Sequence, residues 1–163
     1  MIAALRGITS GRFFLLHYDT TMNRIHPSDL PQFLRRYRFP GGRLRSFRVR
    51  HRSHKDVHLE FRLVVHETIK ELGADPKKVV LKLRLVSVEE YRFQMRPNQA
   101  KVRIEEARIS YLNGLFYVNL DAWTLEPGEQ PRLHDFRASE IYAGGRELYV
   151  EEMPTGKPPE SSP

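Results

Sequence analysis

The chain has 163 residues, 40% hydrophobic and 29% charged, with no cysteine and a formal charge of +7. That length suits one domain able to bury a core, and the composition excludes a disordered or collagen-like chain, a disulfide framework, thiol catalysis and Cys-ligated metal sites. The longest strongly apolar runs, residues 13–16 and 115–118, are four residues each, against the ~20 of a membrane helix, and Arg6 interrupts the start too early for a signal peptide.

Residues 12–18 read as a short buried strand after the turn at Ser10-Gly11, and residues 19–27 as a polar, irregular connection. Ser28 or Asp29 then caps a helix, with Gln32 in capping-box position after Asp29. Leu30, Phe33, Leu34 and Tyr37 recur at i, i+3, i+4 and i+7 as one apolar stripe, which leaves Arg35, Arg36 and Arg38 off it. Phe39-Pro40-Gly41-Gly42 is expected to end that helix.

From Arg43 the period becomes two. Phe47 and Val49 alternate with Arg48, Arg50 and Arg52, and Val57, Leu59, Phe61, Leu63 and Val65 alternate with His58, Glu60 and Arg62. These are two half-buried strands, close enough to form a hairpin around Ser53-His54-Lys55. Its best register opposes Phe47 to Phe61, Val49 to Leu59, Arg48 to Glu60, Arg50 to His58 and Arg52 to Asp56, because that pairing sorts both faces at once.

Residues 67–72 read as a helical turn closed by Gly73 and Pro76. Residues 79–88 make an apolar strand, followed by the alternating Tyr91, Phe93 and Met95 and a turn at Pro97-Asn98. Residues 102–109 and 115–123 form strands about Asn113-Gly114, a strong hairpin dipeptide. Residues 136–142 and 146–152 are predicted as a last hairpin across Gly144-Gly145. Residues 154–163, with four prolines and no apolar side chain, read as a disordered tail after a single β-rich domain over 1–153. The predicted class is mainly β with minor α: an antiparallel sandwich or bent sheet of about eight strands with one short N-terminal helix packed on it.

Charge is distributed unevenly. Residues 1–52 hold eleven arginines against Asp19 and Asp29, a charge of +9, whereas residues 53–163 hold 16 basic and 18 acidic residues. Asymmetry of this kind points to an acidic partner. The densest stretch is Arg35, Arg36, Arg38, Arg43, Arg45, Arg48, Arg50 and Arg52, with no acidic residue between positions 31 and 54. In the plainer reading these arginines lie on a solvated strand face and pair across the hairpin with Asp56 and Glu60. In the functional readings they hold phosphates, with Tyr37, Phe39 and Phe47 stacking on bases, or they meet an acidic protein face. No RNP-type motif, Gly-x-x-Gly clamp or zinc-finger spacing accompanies them.

His51, His54 and His58 have ligand-like spacing, but alternation sends His51 and His58 to opposite strand faces, so these are weak metal candidates and neither metal nor cofactor is expected. His134-Asp135 with Arg137, Glu140 and Asp121 offers acid–base groups without an activated nucleophile, and there is no P-loop, G-x-G-x-x-G or G-x-S-x-G. Trp123, Tyr111, Phe116 and Tyr117 read as sheet packing rather than a ligand cage. The resulting expectation is a non-enzymatic, cytoplasmic binding or accessory domain of bacterial type that engages a protein partner, as inhibitor or immunity-type factors do, with no membrane contact. The alternatives are a nucleic-acid-binding module using the arginines of residues 35–52, and a hydrolase-like enzyme whose site is assembled from distant residues.

Overall fold

The computed structural model describes residues 22–68, 75–94, 102–123 and 125–154. The expected strand at 12–18, residues 69–72 of the expected helical turn, the turn at Pro97-Asn98 and the tail beyond Pro154 lie outside them; Glu67, the expected start of that turn, is in a strand. In chain order come β1 (Asn23–Ile25), a 3-10 turn (Pro27–Asp29), α1 (Leu30–Arg36), β2 (Tyr37–Ser53), β3 (Asp56–Glu67), β4 (Lys78–Phe93), β5 (Val102–Arg103), β6 (Arg108–Leu112), β7 (Leu115–Asn119), α2 (Leu133–Arg137) and β8 (Ile141–Met153). The eight strands form one antiparallel sheet in the order β5-β2-β3-β4-β8-β7-β6, with β1 continuing the β8 edge beyond β7. The class is mainly β with minor α, and of the two predicted shapes the curled single sheet, a half-barrel, is the one adopted.

The curl has a local cause. Leu85 opposes Leu148, both fully buried, and the next core-facing pair is Val88 with Gly145. Two residues separate these pairs on each strand, so the buried parity changes on both strands together while their register continues. Ser87 takes φ 51° at this corner, and a Cβ on Gly145 would come within 3.1 Å of the Val86 carbonyl oxygen. Beyond the corner, β4 turns back over the inner face, and Phe93 stacks on Phe47 of β2 with ring centroids 4.1 Å apart. The two terminal strands of the sheet, β5 and β6, are joined by residues 104–107 alone, a span of at most about 18 Å. The edges of the sheet therefore face one another across a gap.

The core fills the inside of the curl: Leu59, Phe61, Leu63 and Val65 of β3, Leu81, Leu83 and Leu85 of β4, Leu148 of β8 and Val118 of β7. α1 packs on this inner side through Leu30 and Phe33. A second, smaller cluster lies on the outer side of the distal half, where Phe136 of α2 meets Tyr117 and Tyr142. Arg137 fastens it through two hydrogen bonds to Glu90, at 2.9 and 3.1 Å.

Five expectations are corrected. α1 stops at Arg36, and Tyr37 is extended, because Tyr37 and Arg38 pair with Glu67 and His66. β2 then passes through Phe39-Pro40-Gly41-Gly42 as an irregularity in the strand instead of a helix stop. No Asp29 side-chain cap forms, and Pro27 and Pro31 open the two turns. Gly144-Gly145 is not a hairpin: β8 runs straight through it, held by β4 on one side and β7 on the other. The Tyr117 ring lies over Gly144, where a Cβ would sit 2.7 Å from it. Trp123, expected in the packing, is 66% exposed.

Candidate functional site

The β2–β3 pairing places the arginines. Phe47, Arg48, Val49 and Arg50 oppose Phe61, Glu60, Leu59 and His58 as alternation predicts; only the end differs, where Ser53 instead of Arg52 meets Asp56. Leu59 and Phe61 are buried inside and Phe47 and Val49 half-buried. The predicted arginines divide by parity, 43 and 45 being odd and 48 and 50 even. A bulge at Arg45, between Leu44 opposite Leu63 and Ser46 opposite Arg62, absorbs one residue and brings both sets to the same outer face. Arg38, Arg43, Arg45, Arg48, Arg50 and Arg52 are all exposed. Arg35 and Arg36 are not part of this face: they sit on α1, where Arg36 bridges Glu67 at 3.3 Å and Glu152 at 2.5 Å.

Register adds cations that the sequence reading missed. One row across the outer face runs Arg48, Glu60, Arg84, Tyr149, Arg24, and the next runs Ser46, Arg62, Lys82, Glu151. Arg103 of β5 opposes Arg43, and Lys78 opposes His66 beside Arg38. The face thus carries Arg24, Arg38, Arg43, Arg45, Arg48, Arg50, Arg62, Lys78, Lys82, Arg84 and Arg103 against Asp56, Glu60, Glu147 and Glu151. The signal that finds them is the alternation of Lys78, Val80, Lys82 and Arg84 on β4 once its register to β3 is known.

One of these carboxylates is recessed beneath the cations. Glu60 is 3% exposed; Arg84 donates from Nε and Nη2 to its Oε1 at 2.8 and 2.6 Å, and Arg50 Nε stands 3.4 Å from Oε2. Burial alone would raise this carboxyl, but the Arg84 hydrogen bonds and the charges of Arg84, Arg50 and Lys82 outweigh it and hold it below the usual carboxylate range. Asp56 is engaged by His58 at 3.0 Å and Glu147 by Arg24 at 2.9 Å. Arg48 opposes Glu60 but forms no ion pair with it, and no side chain of Arg38, Arg43, Arg45 or Arg48 makes a hydrogen bond or ion pair with another described residue. Around Arg38, Arg43, Arg45 and Arg48 the face therefore presents positive charge with no counter-ion among the described residues.

The other candidate groups are placed differently. Tyr37 and Phe39 are buried in the core and Phe47 is packed against Phe61, Tyr91 and Phe93, so none of the three is free to stack on a base. His51 and His54 are exposed, His51 on the face of Val49 and His58 on that of Arg50, and among the described residues no His, Asp or Glu cluster is arranged to hold a metal. Asp121 accepts from the Glu140 and Ile141 amides at 2.9 and 3.1 Å, and Asp135 from the Arg132 amide at 2.7 Å, so both carboxylates close loops around α2. The chain matches no protein-family model, no curated protein and no solved structure. Among the described residues no helix is long and apolar enough to cross a membrane.

Proposed function

We propose that this chain is a non-enzymatic binding module whose outer sheet face docks on an acidic surface of a partner protein. One observation carries the reading: Arg38, Arg43, Arg45 and Arg48 converge on one face through the bulge at Arg45 and have no counter-ion among the described residues. An uncompensated patch of this kind repels itself in the free chain and is relieved by a complementary charge. Three features favour protein over nucleic acid. The face is spread across several strands instead of forming a groove that tracks a phosphate backbone. Its aromatic member, Tyr149, is half-buried in the sheet with its hydroxyl donating to Glu147 at 2.7 Å, so the face carries no fully exposed aromatic platform among the described residues. Ser46, Val64 and Val80 lie between the cations, a mixed texture suited to an irregular protein surface.

The test compares polyglutamate with mixed-sequence DNA duplex and single-stranded RNA at about 150 mM salt, for the wild type and for Arg43→Gln, Arg45→Gln and Arg48→Gln combined. Polyglutamate should bind the wild type more tightly than either nucleic acid, and the triple variant should lose at least about tenfold, with an unchanged circular dichroism spectrum. Equal or tighter binding of DNA or RNA would transfer the face to nucleic acid; an unaltered affinity in the triple variant would remove it as a site.

A further inference from the structure

Among the described residues β6, at one end of the half-barrel, pairs with β7 and with no other strand, and the two-residue turn Asn113-Gly114 closes that hairpin, with φ 51° and 83°. Residues flanking such a turn exchange both of their hydrogen bonds, so Leu112, Ser110 and Arg108 turn their N–H and C=O groups toward β7. Ile109 and Tyr111 turn theirs outward, where no described residue bonds to them. The open edge gives onto a cleft of ≈ 550 Å³, walled on its far side by α1 and the start of β2 through Leu34, Phe39 and Pro40 and on its near side by Ile109. Leu34, on the apolar stripe of α1, is left 36% exposed there.

The charges in this cleft are one-sided. Arg38 and Arg108 line it and, among the described residues, no carboxylate does. Arg108 donates from Nη2 to the Trp123 carbonyl at 2.6 Å, while its Nη1 is buried without any hydrogen-bond partner. A buried donor left unsatisfied costs free energy that an arriving acceptor recovers. Unpaired strand groups, apolar walls and an unsatisfied guanidinium nitrogen together define one occupant. We infer that the β6 edge accepts an extended segment of a partner protein by strand addition, its apolar side chains against Leu34 and Ile109 and a carboxylate on Arg108. A second copy of this chain is disfavoured as the occupant, because symmetric pairing along β6 would bring the same cations together. The inference shares Arg38 with the outer-face reading but is tested apart from it, since it rests on Arg108 and the β6 edge and the arginines 43, 45 and 48 are absent from the cleft.

The test uses a terminally blocked nine-residue peptide alternating valine with glutamate, its counterpart with lysine for glutamate, and a third peptide N-methylated at every second residue. Binding is read by fluorescence anisotropy, and amide hydrogen exchange is followed at Ile109 and Tyr111. The glutamate peptide should bind with a Kd below about 1 mM and slow exchange at both amides. The lysine and N-methylated peptides should each bind at least about tenfold more weakly. Tyr111→Pro, which removes an outward N–H while leaving the β7 ladder bonds in place, should abolish binding, and Arg108→Gln should weaken it several-fold without altering the thermal unfolding midpoint by more than a few degrees. Undiminished binding of the N-methylated peptide or to Tyr111→Pro, no binding at 1 mM, or full exchange protection at Ile109 and Tyr111 in the free chain would each overturn the inference.

Discussion

Glu60 is the residue on which the outer face turns. Its carboxylate lies under Arg84 and Arg50, ionised and nearly sealed from water, and its acidity is increased by those cations against the effect of burial. A folded-state value below the unfolded one means that the contribution to stability is fully present above the ordinary carboxylate range near pH ~4.3 and is lost as pH falls through the depressed value. Glu60→Gln keeps the shape and removes the charge, so it should cost roughly 1–3 kcal/mol at pH 7 in urea unfolding. The difference from the wild type should shrink when the same unfolding is measured at pH 3; a constant difference would locate the effect in packing. Phe61 tests the opposite face. It is 1% exposed and touches Phe47 edge-on at 5.2 Å. Phe61→Ala should therefore destabilise by roughly 3–5 kcal/mol, read as a lowered urea midpoint with an unchanged slope. Among the arginines, the sequence places 48 and 50 on this face through simple alternation. Arg43 and Arg45 fall out of phase, and only the bulge between Leu44 and Ser46 restores them.

At the scale of elements, two glycines separate conformational from steric demand. Gly114 takes φ 83° with open space around it, so Gly114→Ala should cost only about 1–2 kcal/mol, the usual penalty of the left-handed region. A Cβ on Gly42 would lie 2.4 Å from the Val64 carbonyl oxygen, a backbone atom that cannot rotate away. Gly42→Ala should therefore exceed that cost and increase hydrogen exchange across the β2–β3 irregularity, a pattern that equal destabilisation of the two variants would refute. The β2–β3 and β6–β7 hairpins were legible because each is local: alternation sorts both faces of the first, and Asn113-Gly114 supplies both positive φ values of the second. β8 was not. Gly144-Gly145 gives the same signal in a turn and in a strand that must bend under an aromatic ring, and the choice is made by β4 and β7, which lie far away in sequence. Tyr37 was misplaced for a related reason. It completes a helical stripe, yet pairing with Glu67, thirty residues on, draws it into the sheet.

At the scale of the whole molecule, the described residues cover one outer surface and leave another uncovered. α2 shields the distal half through Phe136, whereas the proximal half presents arginines from β2 with cations of β1, β3, β4 and β5 added by register. This gathering from five strands explains why the site was only partly readable: the density of arginine is local, the shared face is not. Self-repulsion among these charges should make the fold more stable as salt screens them. The thermal midpoint should rise by a few degrees between about 20 and 500 mM NaCl, and the combined Arg43, Arg45 and Arg48 to Gln variant should show a flatter dependence. A falling midpoint would mean that ion pairs such as Arg84–Glu60 outweigh the repulsion. The most direct test of the central claim is a titration of the 15N-labelled chain with polyglutamate, followed by amide and arginine Nε chemical shifts. The account predicts saturable shifts concentrated on Arg43, Arg45, Arg48 and their β3 neighbours, with the α2-covered surface unmoved. Shifts centred on α2 or spread evenly over the exposed cations would contradict it.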